Sequence, residues 1–274
     1  MSEQGPAWVA YVKLDAVTTS AKSRPMARSS RQLGLPFRTW GGARAGAGRK
    51  AKGDRPVVSH LRRPPHSSRH PLHVTLRVQR GVSSLREHSL FVVVRKALAA
   101  AKQQFGFSLV HFSVQRDHLH LIAEAIDRRA LSRGVQGLAI RLARAVNRQL
   151  ERKGRLFADR YHARALKTPR EVRFALRYVL LNARKHALAQ LEFPPGAREC
   201  GGVPVGFVDS RSSAAWFRDF GRPEELAFGA PAVRAEWLRT SGSAEPPVAE
   251  ARLWLLRVGQ HRAGPFDVDD IPGA

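Results

Sequence analysis

The chain has 274 residues, with 47 Lys and Arg against 22 Asp and Glu, for a formal net charge of +25. That length holds one domain of about 120–150 residues with extensions, or two small domains, and the charge points to a polyanionic partner, most simply nucleic acid. A single cysteine, Cys200, excludes an internal disulfide framework and Cys-rich zinc modules. The longest apolar runs, such as residues 90–94, fall far short of the roughly 20 residues of a membrane span.

Taken in chain order, Glu3 and the short apolar patch at 7–12 do not form a secretory signal, so a soluble, cytoplasmic protein is expected. Residues 21–70 carry 13 Lys and Arg and one acid, Asp54, amid Gly, Pro and Ser. Without hydrophobic periodicity this stretch cannot offset its ordering entropy, and residues 1–70 are read as a basic, mostly disordered arm. Arg44, Arg49 and Lys50, set among glycines, are its candidate DNA contacts. The bland alternative is a solvated linker.

Periodicity begins at 72, where Val74, Leu76 and Val78 alternate with polar residues and predict a half-buried strand. Ser83 or Ser84 is expected to cap a helix running to about 104, stopped by Gly106. Residues 107–114 and 118–123 read as strands separated by a turn at 115–117. Leu131, Val135, Leu138, Leu142, Val146 and Leu150 then define a long amphipathic helix ending near Gly154. A short strand at 162–167 precedes Thr168-Pro169, a cap with proline in the first turn of a helix to about 186. The order predicts an α+β, ferredoxin-like β-α-β-β-α-β sandwich with an added C-terminal helix over residues 71–190. Residues 191–274 form a C-terminal extension whose Trp216, Phe217, Trp237 and Trp254 predict short packed elements. The extension is acidic on balance, and residues 1–189 hold a net charge of +28.

His118-Leu119-His120 is the most informative tripeptide, because strand residues i and i+2 project from one face and place two imidazoles side by side. Such a pair is a partial metal site, although a lone His-x-His is more often structural. Residue 122 is Ile, which excludes a histidine triad. The sequence Leu121-Ile122-Ala123 excludes a metallo-β-lactamase-type continuation. Metalloprotease, P-loop and serine-elbow motifs are also missing. Tyr178 and Asn182 stand four apart on the last helix, hence on one face, with Tyr178 well away from the Val172, Leu176, Val179 and Ala183 stripe. The alternative for Asn182 is a polar residue on a solvated helix face. Arg133, Arg141, Arg144, Arg148 and Arg152 lie opposite the leucine stripe of the 128–153 helix with one late acid, Glu151, and favour phosphate binding over a merely solvated surface.

His118-Leu119-His120, followed about 60 residues on by a helix bearing Tyr178 and Asn182, resembles the HUH single-tyrosine transposases. Within them it resembles the REP-associated, IS200-like group, an assignment that Phe157-Ala158-Asp159-Arg160-Tyr161-His162 supports. Two departures are Arg116-Asp117 where relatives commonly have Pro-Asn, and Ala183 after Asn182 where they commonly have proline. The resemblance implies Mg²⁺ or Mn²⁺ held by His118, His120 and Asn182, with Tyr178 as the nucleophile forming a 5′-phosphotyrosine. Lys185 is a further candidate DNA contact beside the tyrosine. It also implies single-stranded DNA as substrate, presented as palindromic repeat hairpins, a nucleoid-associated bacterial enzyme, and a monomer or homodimer. The rival readings are a non-catalytic nucleic-acid-binding protein domesticated from a transposase, and a metal nuclease in which water attacks.

Overall fold

Alternation along two neighbouring strands sets up the whole arrangement. The computed structural model describes residues 65–190, 207–221, 229–267 and 270, with side chains in the first stretch only as far as 183. Strand β1 (Leu72–Arg77) pairs antiparallel with a later strand, His118–Ala125, through the register Val74 to Leu121 and Thr75 to His120. In both strands the odd-even pattern sends Leu72, Val74, Leu76, Leu119, Leu121 and Ala123 to one face, where they join the main core. His73, Thr75, His118 and His120 therefore point to the other face.

The elements follow as β1, α1 (His88–Ala99), β2 (Gln103–Gln104), β3 (Phe107–Val114), β4 (His118–Ala125), α2 (Arg128–Gln149), β5 (His162–Ala165) and α3 (Pro169–Gln190). The described strands form one antiparallel sheet in the order β2-β3-β4-β1-β5. With the two-residue β2 set aside, this is the strand order expected of a ferredoxin-like sandwich, and α3 is the added helix. Helices α1 and α2 cover the face carrying Leu72 and Leu121, burying Phe91, Leu98, Leu138 and Val146 against them. Each such side chain contributes about 1.5–3 kcal/mol on full burial. Gly134 of α2 lies so close to Phe107 that a Cβ would sit 2.2 Å from the ring, which fixes the approach of helix to sheet.

The first helix is shorter than its sequence pattern predicts. Ser84 caps a turn instead, its Oγ accepting the Arg86 N–H at 3.3 Å, and the helix starts after Glu87. Its far end stops early because Phe105 and Gly106 both take positive φ, 48° and 77°, and close a two-residue hairpin. That turn pulls Gln103 and Gln104 into pairing with Ser108 and Phe107. Helix α2 is capped by Asp127, whose carboxylate accepts the Ala130 N–H at 2.6 Å.

Helix α3 lies on the second sheet face, with a core of its own. Val172, Leu176, Val179 and Leu180 pack on Val110 and Ile122 below and on Phe217, Leu255, Leu256 and Phe266 of the C-terminal extension above. The extension contains α4 (Ala230–Ser241) and α5 (Trp254–Arg257), with short 3-10 turns at Ala214–Trp216 and Gly259–Ala263. Its backbone also covers the outer edge of β3, where Val114 N–H donates to Arg211, Ser213 to Phe112 and Ala249 to Leu109. The buried Glu124 carboxylate accepts the N–H groups of Arg252 and Leu253, anchoring the start of α5 to β4. Arg86 grips Asp209 bidentately at 2.8 and 3.0 Å. No described helix is long and apolar enough to cross a membrane. The basic arm as far as residue 64, with Arg44, Arg49 and Lys50, lies outside the described residues, as do residues 191–206 at the start of the C-terminal extension.

His111 sits fully inside this second core, and burial holds its imidazole down at about 4. In the unfolded chain it protonates near 6.5, so the unfolded state binds the extra proton between those values. Stability is therefore expected to fall as pH drops from about 6.5 to about 4, by at most about 3 kcal/mol from this residue. Denaturant midpoints across that window should fall less for His111→Gln than for the parent chain. Equal losses would contradict this assignment.

Candidate active site

The start of α3 sets the position of its tyrosine. Thr168 Oγ1 accepts the Glu171 N–H at 3.2 Å, while the Glu171 carboxylate accepts the N–H groups of Thr168 at 3.2 Å and Lys167 at 2.7 Å. This reciprocal capping box, with Pro169 in the first turn, fixes where the helix begins and so which residues face the sheet. Glu171, Phe174, Ala175 and Tyr178 fall on one side at helical spacing and line a hollow of about 340 Å³ with His73 and Arg164 of the sheet.

Tyr178 meets the histidine pair in that region. Its hydroxyl lies 3.4 Å from His120 Nε2, and the two rings stand edge to face with centroids 5.0 Å apart. His118 and His120 are adjacent, with centroids 4.7 Å apart. The structure thus brings together three of the residues singled out by sequence: His118, His120 and Tyr178.

What lies behind the imidazoles decides which nitrogens face the tyrosine. The Nδ1 of His118 is 2.8 Å from Asp117 Oδ1, and the other carboxylate oxygen accepts from Arg77 at 2.9 Å. The hydrogen bond from His118, together with the nearby Arg77, holds the Asp117 carboxyl below its ordinary range. An ionised carboxylate only accepts, so Nδ1 of His118 carries a proton, and in the neutral imidazole Nε2 then holds the lone pair. Behind His120, Nδ1 lies 3.2 Å from His73 Nε2 and 3.3 Å from Thr75 Oγ1. Burial first, then His162 and Arg164, hold His73 down to about 4, so it is neutral at pH 7 and able to accept. Burial also raises the Tyr178 phenol above its usual value. A protonated phenol donates to His120 Nε2, in agreement with a proton on the far nitrogen.

This is the arrangement that metal-binding imidazoles require, with one nitrogen tied to an outer partner and the other presented outward. The donor set therefore fits a divalent ion held by Nε2 of His118 and His120. Asn182 is 1% exposed, and its buried Nδ2 has no hydrogen-bond partner among the described residues. The solvated-face alternative for this residue is thereby removed, because the C-terminal extension closes over α3. An orphaned buried amide one turn beyond Tyr178 is compatible with a ligand role. No group of three His, Cys, Asp or Glu side chains among the described residues forms a ready metal cluster.

Other sequence candidates are placed elsewhere. Arg133, Arg141, Arg144 and Arg148 ride on α2, which packs on the opposite face of the sheet from the imidazoles. Arg141, Arg144 and Arg148 line a groove between α1 and α2 with Lys96, and Arg141 donates to Gln104 at 3.3 Å. Lys185 lies within α3, but its side chain is outside the described residues. Tyr161 packs against the main core. Sequence reading missed His73, Thr75 and Asp117. The signal was present in β1, whose polar side carries His73 and Thr75 at the i, i+2 spacing that flagged the pair on β4.

A ferredoxin-like sheet presenting a His-hydrophobe-His pair to a helical tyrosine is the arrangement expected from the sequence resemblance to single-tyrosine transposases. Residues 66–180 match the family described as IS200-like transposases. Among solved structures, the chain is similar to a REP-associated tyrosine transposase bound to a REP hairpin, at 18% identity and a TM-score of 0.39. That match covers 47% of this chain and 74% of the other. It is also similar to a transposase-like protein of Deinococcus radiodurans, at 20% identity and a TM-score of 0.31, covering 43% and 87%. No curated protein matches the chain.

The raised phenol is directly measurable. Phenolate absorbance of the parent chain minus that of Tyr178→Phe should titrate above the ordinary value of about 10. Ionisation of Tyr178 below 10 would contradict the desolvated, hydrogen-bonded phenol described above.

Proposed function

We propose that the chain cleaves and rejoins single-stranded DNA through a covalent bond to Tyr178. The single observation that supports this reading is the approach of the Tyr178 hydroxyl to His120 Nε2, beside His118, at 3.4 Å. The phenol oxygen attacks the scissile phosphorus in line, forming a 5′-phosphotyrosine as the bond to the 3′ oxygen breaks. The 3′ oxygen leaves as a hydroxyl, gaining the proton count that the phenol loses. Because the phosphodiester is exchanged and not hydrolysed, attack by a 3′-hydroxyl on the tyrosyl phosphate rejoins a strand.

The residues that would hold Mg²⁺ or Mn²⁺ are His118 and His120 through Nε2, with the Asn182 amide oxygen as a third donor. Bound there, the ion supplies polarisation of the scissile phosphate and offsets charge on its oxygens. His120 Nε2 can serve the phenol hydrogen bond or a metal bond, one at a time. With an ion held there, His120 would not serve as the hydrogen-bond acceptor of the Tyr178 hydroxyl, whose role is attack on the phosphate. Asp117, Thr75 and His73 keep the two rings in the orientation and tautomer that this needs.

The proposed substrate is single-stranded DNA folded into a palindromic-repeat hairpin, an extension that rests on the family resemblance and on the +28 carried by residues 1–189. Arg133, Arg141, Arg144 and Arg148, on the far side of the sheet from Tyr178, would contact flanking phosphates and not the scissile one. Arg44, Arg49, Lys50 and Lys185 complete the proposed phosphate contacts, and the chain acts as a monomer or homodimer.

Two experiments test this reading. Incubating the full chain with hairpin and unstructured oligonucleotides and Mn²⁺ should give a denaturation-resistant protein–DNA adduct, absent with EDTA and absent for Tyr178→Phe. An adduct that survives in Tyr178→Phe removes the assigned nucleophile, and scission without an adduct favours attack by water. Calorimetric titration with Mn²⁺ alone should show roughly 10–100-fold weaker binding for Asp117→Ala, the outer-partner effect. Unchanged affinity would show that Asp117 does not support the site.

A further inference from the structure

Phe174 lies in the wall of the hollow that also holds Tyr178. It lies one turn before Tyr178 on α3, on the same side, and is 46% exposed while the neighbouring Val172, Ala175 and Leu176 are buried. Singly exposed apolar side chains are common on protein surfaces, and what sets this one apart is that it borders the hollow holding Tyr178. The Arg170 guanidinium lies 5.4 Å from the ring centroid, so one cation is already stacked on it.

The hollow that Phe174 shares with Tyr178 and His73 has the character of a single-nucleotide site. Its volume of about 340 Å³ is at the small end of ligand pockets, enough for one base and too small for a base pair. Arg164 and Arg177 lie in its wall. The one carboxylate there, Glu171, is taken up by Arg164 at 2.6 Å and by the N–H groups of Lys167 and Thr168, and so is neutralised toward an incoming polyanion. Phe174 and Tyr178 are about 6 Å apart along the helix axis. A phosphate held at the tyrosine hydroxyl therefore brings the neighbouring base to the phenyl ring.

We infer that this hollow is a base-binding subsite, in which one unpaired nucleobase next to the scissile phosphate stacks on Phe174 beside the Arg170 guanidinium. The assignment rests on the strand-transfer reading for the location of the phosphate. It adds that the site selects unpaired over paired DNA through aromatic stacking, a sequence-tolerant interaction.

The test uses the full chain, an unstructured oligothymidine strand and a duplex of equal length, with EDTA present so that no cleavage occurs. Phe174→Ala and Phe174→Leu should each weaken oligothymidine binding by about 5–100-fold and leave duplex binding unchanged. Phe174→Trp should retain single-strand affinity, and its added indole fluorescence should be quenched by the oligonucleotide. Leucine separates the two roles, since it preserves apolar bulk and removes only the stacking plane. The inference is overturned if Phe174→Leu binds oligothymidine like the parent, if single-strand and duplex affinities fall together, or if the variants change oligomeric state without changing affinity. Selective loss of single-strand binding in a chain that forms no tyrosyl adduct would retain the subsite and discard strand transfer. An adduct with unaltered binding by Phe174→Leu would do the reverse.

Discussion

Antiparallel pairing between β1 and β4 governs both stability and chemistry in this protein. Side chains alternate across a strand, so one register simultaneously buries Val74, Leu76, Leu119 and Leu121 beneath α1 and α2 and turns His73, Thr75, His118 and His120 toward α3. A slip of one residue would drive four polar groups into the main core and expose the aliphatic set. The hydrophobic core therefore enforces the positions of the imidazoles, and no separate device is needed to aim them.

On the second face the site is built from partly buried polar groups that satisfy one another. Asp117 is held by Arg77 and holds His118, while Thr75 and His73 meet the rear nitrogen of His120. Each of these outer contacts leaves an Nε2 lone pair pointing toward α3, where Tyr178 waits as a neutral phenol. Burial acts in a consistent direction throughout, keeping the phenol protonated and His73 unprotonated. Asp117, one of the two departures from the common family pattern, thus has a physical role, because its carboxylate orients the His118 ring through Nδ1.

Much of this was legible in the sequence, for reasons that are local. Strand β3 and the pairing of Thr168 with Pro169 are written in periodicity and capping chemistry, and the i, i+2 and i, i+4 spacings marked His118, His120, Tyr178 and Asn182. What was not legible depends on contacts far apart in the chain. His73 acquires meaning only through a cross-strand neighbour 47 residues away, and the burial of Asn182 comes from tertiary packing around α3 that no local pattern encodes. The α2 arginines are correctly on the side away from the leucine stripe, yet the sheet stands between them and the tyrosine. The premature end of α1 follows from two positive φ angles at Phe105 and Gly106, and the first of these is not a residue that sequence rules assign to such a turn.

The claim on which the account turns is that His118 and His120 both carry their proton on Nδ1 and present Nε2 to Tyr178. Nitrogen NMR of ¹⁵N-histidine-labelled, metal-free protein at mildly alkaline pH reads that tautomer directly. The account predicts a protonated Nδ1 and a lone-pair Nε2 for both residues, with the His118 signal losing this preference in Asp117→Ala. A protonated Nε2 on either ring in the parent chain would contradict it.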